Sequence, residues 1–498
     1  MLRITIQAFF LIGCLSLVAQ NKFDYTWKIG YGYQGKKYLN GALLNFSSDP
    51  VAVDPDSITV GNVFANAALC DKNGKLICYS GGYWIENINA DIVESSDNII
   101  CTNDTTLIKL SAQRGSFGGS QSILMLPVPN FEDSLLSLFT FKSMNRTTGF
   151  VGDLIYANLQ HFQSKVQLVD KCNANTFGKE YYSAFLTACR HGNGRDWWIF
   201  AVEANYKKAH LFLFTEDGIV EDHEIDWKVP VLDPISDGVA CFTNDGKKLA
   251  VYSHYNGLWL FDFDRCGGSL SNLQTIPIKG EAVEIFHNWG RGMANSPSGR
   301  FLYVSKTLYL YQFDLQAADV SASKVLVGEY DGFVDTFSGF PIGFNLLQLA
   351  PNNKIYGSTT NGSRFLHVIE NPEEKGTKCN FRPHSLLLPI LNSFSLPNYP
   401  NYRLGPALAS RCDSLSGHPT DLSAVLVFPN PYLVGDPLTV QYSGNEQESF
   451  LLYDITGRLL FRQMLQQISH QQTIRLPSFP VGTYIWKVGR KAGKLQIH

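Results

Sequence analysis

Short apolar runs separated by polar turns fill most of this chain. Residues 68–78, 188–198, 240–250, 294–303 and 349–356 each read as an apolar strand, a turn carrying Asn, Asp or Gly, and a second apolar strand. Gly and Asn tolerate the positive φ of a tight turn, so each unit predicts a β-hairpin. The turn residues Gly194, Gly246, Gly299 and Asn353 are spaced by 52, 53 and 54 positions. A more degenerate copy has its turn at 127–133. A third strand follows each hairpin, as at 258–263 and 308–313, and a weaker fourth, as at 274–278. Four strands per repeat predict the blades of a β-propeller, and 21–410 has room for about seven. The N-terminal stretch 27–53 is expected to combine with C-terminal strands to close the ring.

The pattern changes after 411–423, a Ser-, Asp-, Pro- and Gly-rich stretch that reads as a linker. Short alternating strands then run from 424 to 498 and predict a small immunoglobulin-like β-sandwich. The fold class is therefore all-β: a propeller of about seven four-stranded blades, then a sandwich.

Composition agrees with many strands and tight turns: 33 Phe, 23 Tyr, 8 Trp, 42 Gly and 22 Pro. Charged residues make up 17%, and the net charge of −3 gives no basic surface for nucleic acid. The first nineteen residues read as a signal peptide, with Arg3 ahead of an apolar stretch too short to span a bilayer. Cleavage after Ala19 would expose Gln20, whereas Leu11–Cys14 offers a second reading, a lipidated Cys14. No later apolar run is long enough for a transmembrane helix. None of the ten Cys form a Cys-x-x-Cys pair, which removes the common zinc motifs. Cys70, Cys189 and Cys241 recur at equivalent points and read as core residues, while Cys379 and Cys412 are the disulfide candidate.

The chain contains no His-Glu-x-x-His, Gly-x-Ser-x-Gly or P-loop, so no catalytic residue, metal ligand or cofactor is assigned from motifs. Asp262, Asp264 and Gly267 only partly match a calcium loop and read as a strand end and turn, and His191 reads as a turn residue. Architecture gives the better pointer. Loops into the innermost strands and loops between second and third strands share one face of a propeller. On that face the candidates for ligand binding are Asp237, His254, Tyr255, Trp289, Arg291 and Arg364, with Tyr83, Trp84, Tyr182, Asn256 and Asn361 nearby in these loops. Aromatic, Arg, His and Asn side chains suit a sugar or a peptide.

Two resemblances add to this reading. Stretches 27–30, 44–46, 190–198, 260–264, 310–314, 347–351, 354–356 and 395–399 resemble a family of secreted propeller proteins common in Bacteroidetes. That resemblance implies fold and origin, and no chemistry. Pro429-Asn430-Pro431 after Phe428, Tyr453-Asp454 before Gly457, Gly482 before Tyr484, and the late Lys494 resemble the type A C-terminal sorting domain of the type IX secretion system. It implies the type IX machinery as a partner, passage through the periplasm, and release or attachment at the outer surface. Two functions follow as expectations. One is a binding module for glycan or protein; the other is a propeller hydrolase or lactonase with a metal in the central channel. Binding is preferred because channel strands such as 239–242 and 346–349 carry almost no carboxylates.

Overall fold

The computed structural model describes residues 21–31, 38–59, 61, 64–114, 116, 118–146, 149–162, 165–174, 179–229, 238–278, 291–408, 410–412, 425–430, 432–435, 437–442, 448–455, 457–465, 471–489 and 491–497. Ala19, Gln20, Cys14, Asp237, Trp289 and Pro431 lie outside them. Seven antiparallel sheets follow one another from Thr26 to Asn392, here called blades 1 to 7. Blade 1 comprises Thr26–Gly30, Tyr38–Asn45 and Ala52–Ile58; blade 2 comprises Ala67–Cys70, Leu76–Ser80 and Ile85–Asn87. Blade 3 spans 124–174, and Tyr181–Tyr182 adds to its third strand. Blades 4 to 7 span 187–226, 238–276, 293–329 and 344–392, each with four strands in sequence order.

The periodic hairpins fall where the pattern puts them. Gly194, Gly246, Gly299 and Asn353 all take positive φ, between 62° and 77°. Middle strands lie between neighbouring blades and are apolar on both faces, as in Trp197–Val202, where every residue is buried. Outer strands such as Gly218–Asp226 are half-exposed and polar. Each large buried side chain of these seams, Trp27, Trp197 and Trp259 among them, contributes about 1.5–3 kcal/mol of apolar burial.

Two expectations need correction. Blades 1 and 2 have three strands each among the described residues, and an α-helix, Thr105–Arg114, follows blade 2 where a fourth strand was expected. Asp104 caps it by accepting from the Thr106 and Leu107 amides, at 2.8 and 3.1 Å. No C-terminal strand joins the ladder of blade 1 among the described residues. Blade 1 instead packs on the last strand of blade 7, and the Gly30 N–H donates to Asn392 Oδ1 at 3.2 Å. The disulfide expectation also fails. The bonds are Cys101–Cys172 and Cys266–Cys412, and Cys379 is a free thiol buried beside Phe344 and Phe381 at the outer edge of blade 7. Cys412 is carried away from that edge by the segment described next. Cys70, Cys189 and Cys241 are free thiols on the first strands of blades 2, 4 and 5, and burial pushes those of Cys189 and Cys241 up to about 12.

From 426 to 497 two sheets enclose a separate core. Leu426–Phe428, Leu438–Gln441 and Gln471–Ile474 form one; Leu459–Met464, Ser449–Tyr453, Gly482–Val488 and Lys491–Ile497 form the other. Leu438, Val440, Phe450, Leu452 and Leu495, all fully buried, fill the space between them as in a β-sandwich.

Candidate functional site

Antiparallel order puts the loops into first strands and the loops between second and third strands on one face, the top. The hairpin turns at 191–196, 243–247, 296–300 and 350–354 lie at the bottom. The last strand of blade 7 ends at the top, and the chain then enters the central channel. Asn398 sits at its upper end. Its amide donates to the carbonyls of Ile123 and Leu186 at 3.0 and 2.9 Å, and its N–H donates to Asn66 O at 2.9 Å. Gln121 donates to Asn398 Oδ1 at 3.3 Å and exchanges two hydrogen bonds with the Ala240 backbone. Four blades thus meet around two amide side chains.

Further down, Tyr402 donates to Met125 O at 2.7 Å and Asn401 to Asn244 O at 2.8 Å. Arg265 then donates to Gly405 O at 2.6 Å, Ala407 N–H to Gly192 O at 2.8 Å, and Cys412 closes its disulfide with Cys266. Gly192 lies against both sulfurs, so any Cβ there would collide with them. Segment 395–412 therefore threads the channel from top to bottom. A cavity of about 80 Å³ remains beside it, lined by groups such as Cys189, Cys241, Asn295, Gln348 and Asn401. Asp24 also borders this cavity and is paired with Arg403.

The top face carries the sequence-derived candidates unevenly. His254 is nearly buried and meets Tyr255 edge-on at 5.1 Å, while Tyr255 is 51% exposed. Asn256 turns inward and donates to Ser253 Oγ at 3.2 Å. Arg291 faces the buried Tyr252 of blade 5. Tyr83, Trp84 and Tyr182 are buried packing residues, the last stacked on Tyr206 at 4.3 Å. Asn361 donates to Pro341 O at 2.7 Å and ties down the loop before blade 7. Arg364 lies 4.5 Å over the ring of Phe337. The structure thus brings one pair of candidates together, His254 with Tyr255 on blade 5, and sets Arg364 against a residue that was not a candidate, Phe337.

Phe337 belongs to a hairpin that the sequence reading missed, with strands Val334–Asp335 and Phe340–Pro341. Phe337 and Phe340 are 61% and 54% exposed. Asp335 organises the hairpin, accepting from Ser363 Oγ, Arg364 N–H and Phe337 N–H, each at 2.9 Å. Burial alone would raise its carboxyl, but these donors and the Arg364 charge hold it below the usual range. Phe333 stacks on His384 at 4.0 Å, and His384 reaches Asp331 at 2.8 Å. The missed signal was Phe333, Phe337 and Phe340 at three- to four-residue spacing among Asp, Ser and Gly: aromatics in a loop composition.

Other motif residues have local tasks. His191 accepts from Asn193 N–H at 3.1 Å and lies 3.3 Å from Cys266 O, as a turn residue does. Asp262 pairs with Lys248, and Asp264 with Arg411. In the C-terminal sandwich, Asn430 donates to Lys494 O at 2.9 Å and accepts from Gln496 N–H at 2.8 Å, clamping the final strand. Pro429 precedes it, and Tyr432 then pairs in parallel with Ile497. Asp454 and Gly457 (φ 87°) close the Tyr453–Leu459 turn. Gly482 opens the strand on which Tyr484 donates to Pro480 O at 2.7 Å.

Residues 426–497 match the family described as the secretion system C-terminal sorting domain. This chain carries a type IX sorting tail, which implies export to the cell surface or beyond. No helix among the described residues is long and apolar enough to cross a membrane. No curated protein matches the chain. Among solved structures it is similar to a putative 6-phosphogluconolactonase from Bacteroides uniformis, at 11% identity and TM-score 0.36, covering 90% of this chain and 100% of that one. The periplasmic gluconolactonase PpgL of Pseudomonas aeruginosa gives 10% and 0.35, with 91% and 99% covered. The Swd1 β-propeller domain of Myceliophteria thermophila gives 9% and 0.34, with 67% and 93% covered. Likenesses this distant assign no activity.

Proposed function

We propose that this protein is an exported, non-catalytic binding module that holds a glycan or protein ligand on the top face of its propeller. In this reading 1–19 is a signal peptide, 21–410 the propeller, 411–423 a linker, and 424–498 the tail recognised by the type IX machinery. One observation carries it: exposed aromatics stand on top-face loops of blade 5 and of the hairpin before blade 7, while the chain's own segment fills the channel behind them. Tyr255, Phe337 and Phe340 are each more than half exposed, and the Arg364 guanidinium lies over the Phe337 ring. Planar rings suit the apolar face of a sugar, and a guanidinium suits its hydroxyl or carboxylate groups. The alternative is a lactonase or hydrolase with a metal in the channel. Asp24, the carboxylate among the described residues lining the channel cavity, is already paired with Arg403.

A glycan and peptide array probed with residues 21–423, which keep the Cys266–Cys412 bond, beside a panel of lactones and esters, tests the proposal. Binding to one ligand class with no turnover supports it; turnover with a blank array reverses it. Removal of 424–498 is expected to leave the protein in the periplasm, and normal surface delivery of that truncation would contradict the sorting role.

A further inference from the structure

A cluster on blade 4 is independent of the top-face reading. Glu203 follows the strand Trp197–Val202, His210 lies on Lys208–Thr215, and Glu224 pairs directly with His210 from Gly218–Asp226. The three side chains therefore share one face of the sheet, and one ligand atom from each lies within 4.8 Å of the others. His210 is fully buried. Its Nδ1 lies 2.6 Å from Asp222 Oδ1 and its Nε2 lies 3.0 Å from Glu203 Oε1. A neutral imidazole has one N–H. One ring nitrogen can therefore donate to only one of the two carboxylates, and the contact at the other is closed either by a second proton or by a metal ion. A carboxylate behind a histidine is the support that metal-bound histidines use.

Two more observations point the same way. The Tyr181 hydroxyl is buried and has no hydrogen-bond partner among the described residues, while its ring meets His210 edge-on at 5.2 Å. Its charged neighbours are Asp222, Glu203, Asp153 and Glu224. The charges also lean negative: Glu203, Asp222, Glu224 and Asp226 stand among three ammonium groups, Lys179, Lys208 and Lys228.

We propose that Glu203, His210 and Glu224 bind a divalent first-row transition ion of the zinc class, at the seam between blades 3 and 4. One imidazole and two carboxylates suit such an ion better than calcium, which prefers six or more oxygens. Tetrahedral zinc places its nitrogen and oxygen ligands about 3.3 Å apart, close to the His210–Glu203 separation. The Tyr181 hydroxyl or water completes the shell. Asn205 donates to the other oxygen of Glu203 at 2.9 Å and orients it. Lys179, 2.6 Å from Glu224 and 3.9 Å from Glu203, holds part of this space, and its 29% exposed side chain can withdraw to solvent. A bound ion would tie the Tyr181–Tyr182 strand of blade 3 to three strands of blade 4.

The test uses the full chain, stripped with chelator, dialysed, and titrated with Zn²⁺ by calorimetry and with Co²⁺ by visible absorption. One ion per chain is expected, with Co²⁺ bands of low coordination number. Glu224→Gln alters a partly exposed side chain, leaves the core intact, and should weaken binding at least about tenfold. His210→Gln should abolish it, and Lys179→Met should strengthen it by removing the competing ammonium. No uptake at about 100 µM ion by either wild type or Lys179→Met would overturn the proposal, as would unchanged affinity in Glu224→Gln.

Discussion

The two ends of the central channel are built in opposite ways. At the bottom, 401–412 is fixed by Asn401, Arg265, the Gly192 carbonyl and the Cys266–Cys412 bond. At the top, beyond Asn398, the surface carries exposed rings with few polar obligations: Tyr255, Phe337 and Phe340. Side chains that satisfy buried backbone carbonyls hold the fold together. Aromatic rings left exposed on loops are available to a partner without holding the fold. The difference separates residues whose loss should unfold the protein from residues whose loss should only weaken binding.

The largest expected effect is at the channel. Asn398→Ala orphans the Ile123 and Leu186 carbonyls, and each buried orphan costs about 1–3 kcal/mol, so a loss of about 2–6 kcal/mol is expected in denaturant melts. Cys412→Ser opens a loop whose ends are 146 residues apart and should cost about 2–4 kcal/mol under oxidising conditions, vanishing when wild type is reduced.

A third effect depends on pH. Burial pushes His367 down to about 4. Its Nδ1 accepts from His384 N–H at 3.0 Å and its Nε2 lies 3.3 Å from Gly343 O, so the neutral ring already uses both nitrogens. The folded group has the lower pKa, so the unfolded chain takes up the proton first. Its contribution is present above about pH 6.5 and is lost as pH falls toward 4, by up to about 3 kcal/mol. Stability measured across that window should fall less in His367→Gln than in wild type.

The smallest effect on folding is at the top face. Phe337→Ala should change stability by less than about 0.5 kcal/mol while weakening ligand binding about tenfold or more. A variant that unfolds instead would place Phe337 with the structural residues and break the comparison.

Sequence periodicity made the blades legible because strand alternation and turn chemistry are local: the positive φ of Gly194, Gly246, Gly299 and Asn353 follows from residue type. The sorting tail was legible for the same reason. The path of 395–412 was not, because Asn398 is specified by carbonyls of Ile123 and Leu186, more than 200 positions away. The Cys266–Cys412 pairing depends on that path and was hidden with it. On the top face, Tyr255 and Arg364 could be named from loop position, but the burial of Tyr83, Trp84 and Asn256 depends on tertiary packing that loop position does not reveal. Phe337 was overlooked because the hairpin strands Val334–Asp335 and Phe340–Pro341 are too short to register as alternation.

The most direct measurement is a binding isotherm for whichever array ligand binds residues 21–423, comparing wild type, Phe337→Ala, Tyr255→Ala and a channel variant, Gln348→Ala. Top-face recognition predicts at least about tenfold weaker binding for one or both aromatic variants and wild-type affinity for Gln348→Ala. Wild-type affinity in both aromatic variants, with loss in Gln348→Ala, would move recognition into the channel and contradict the account.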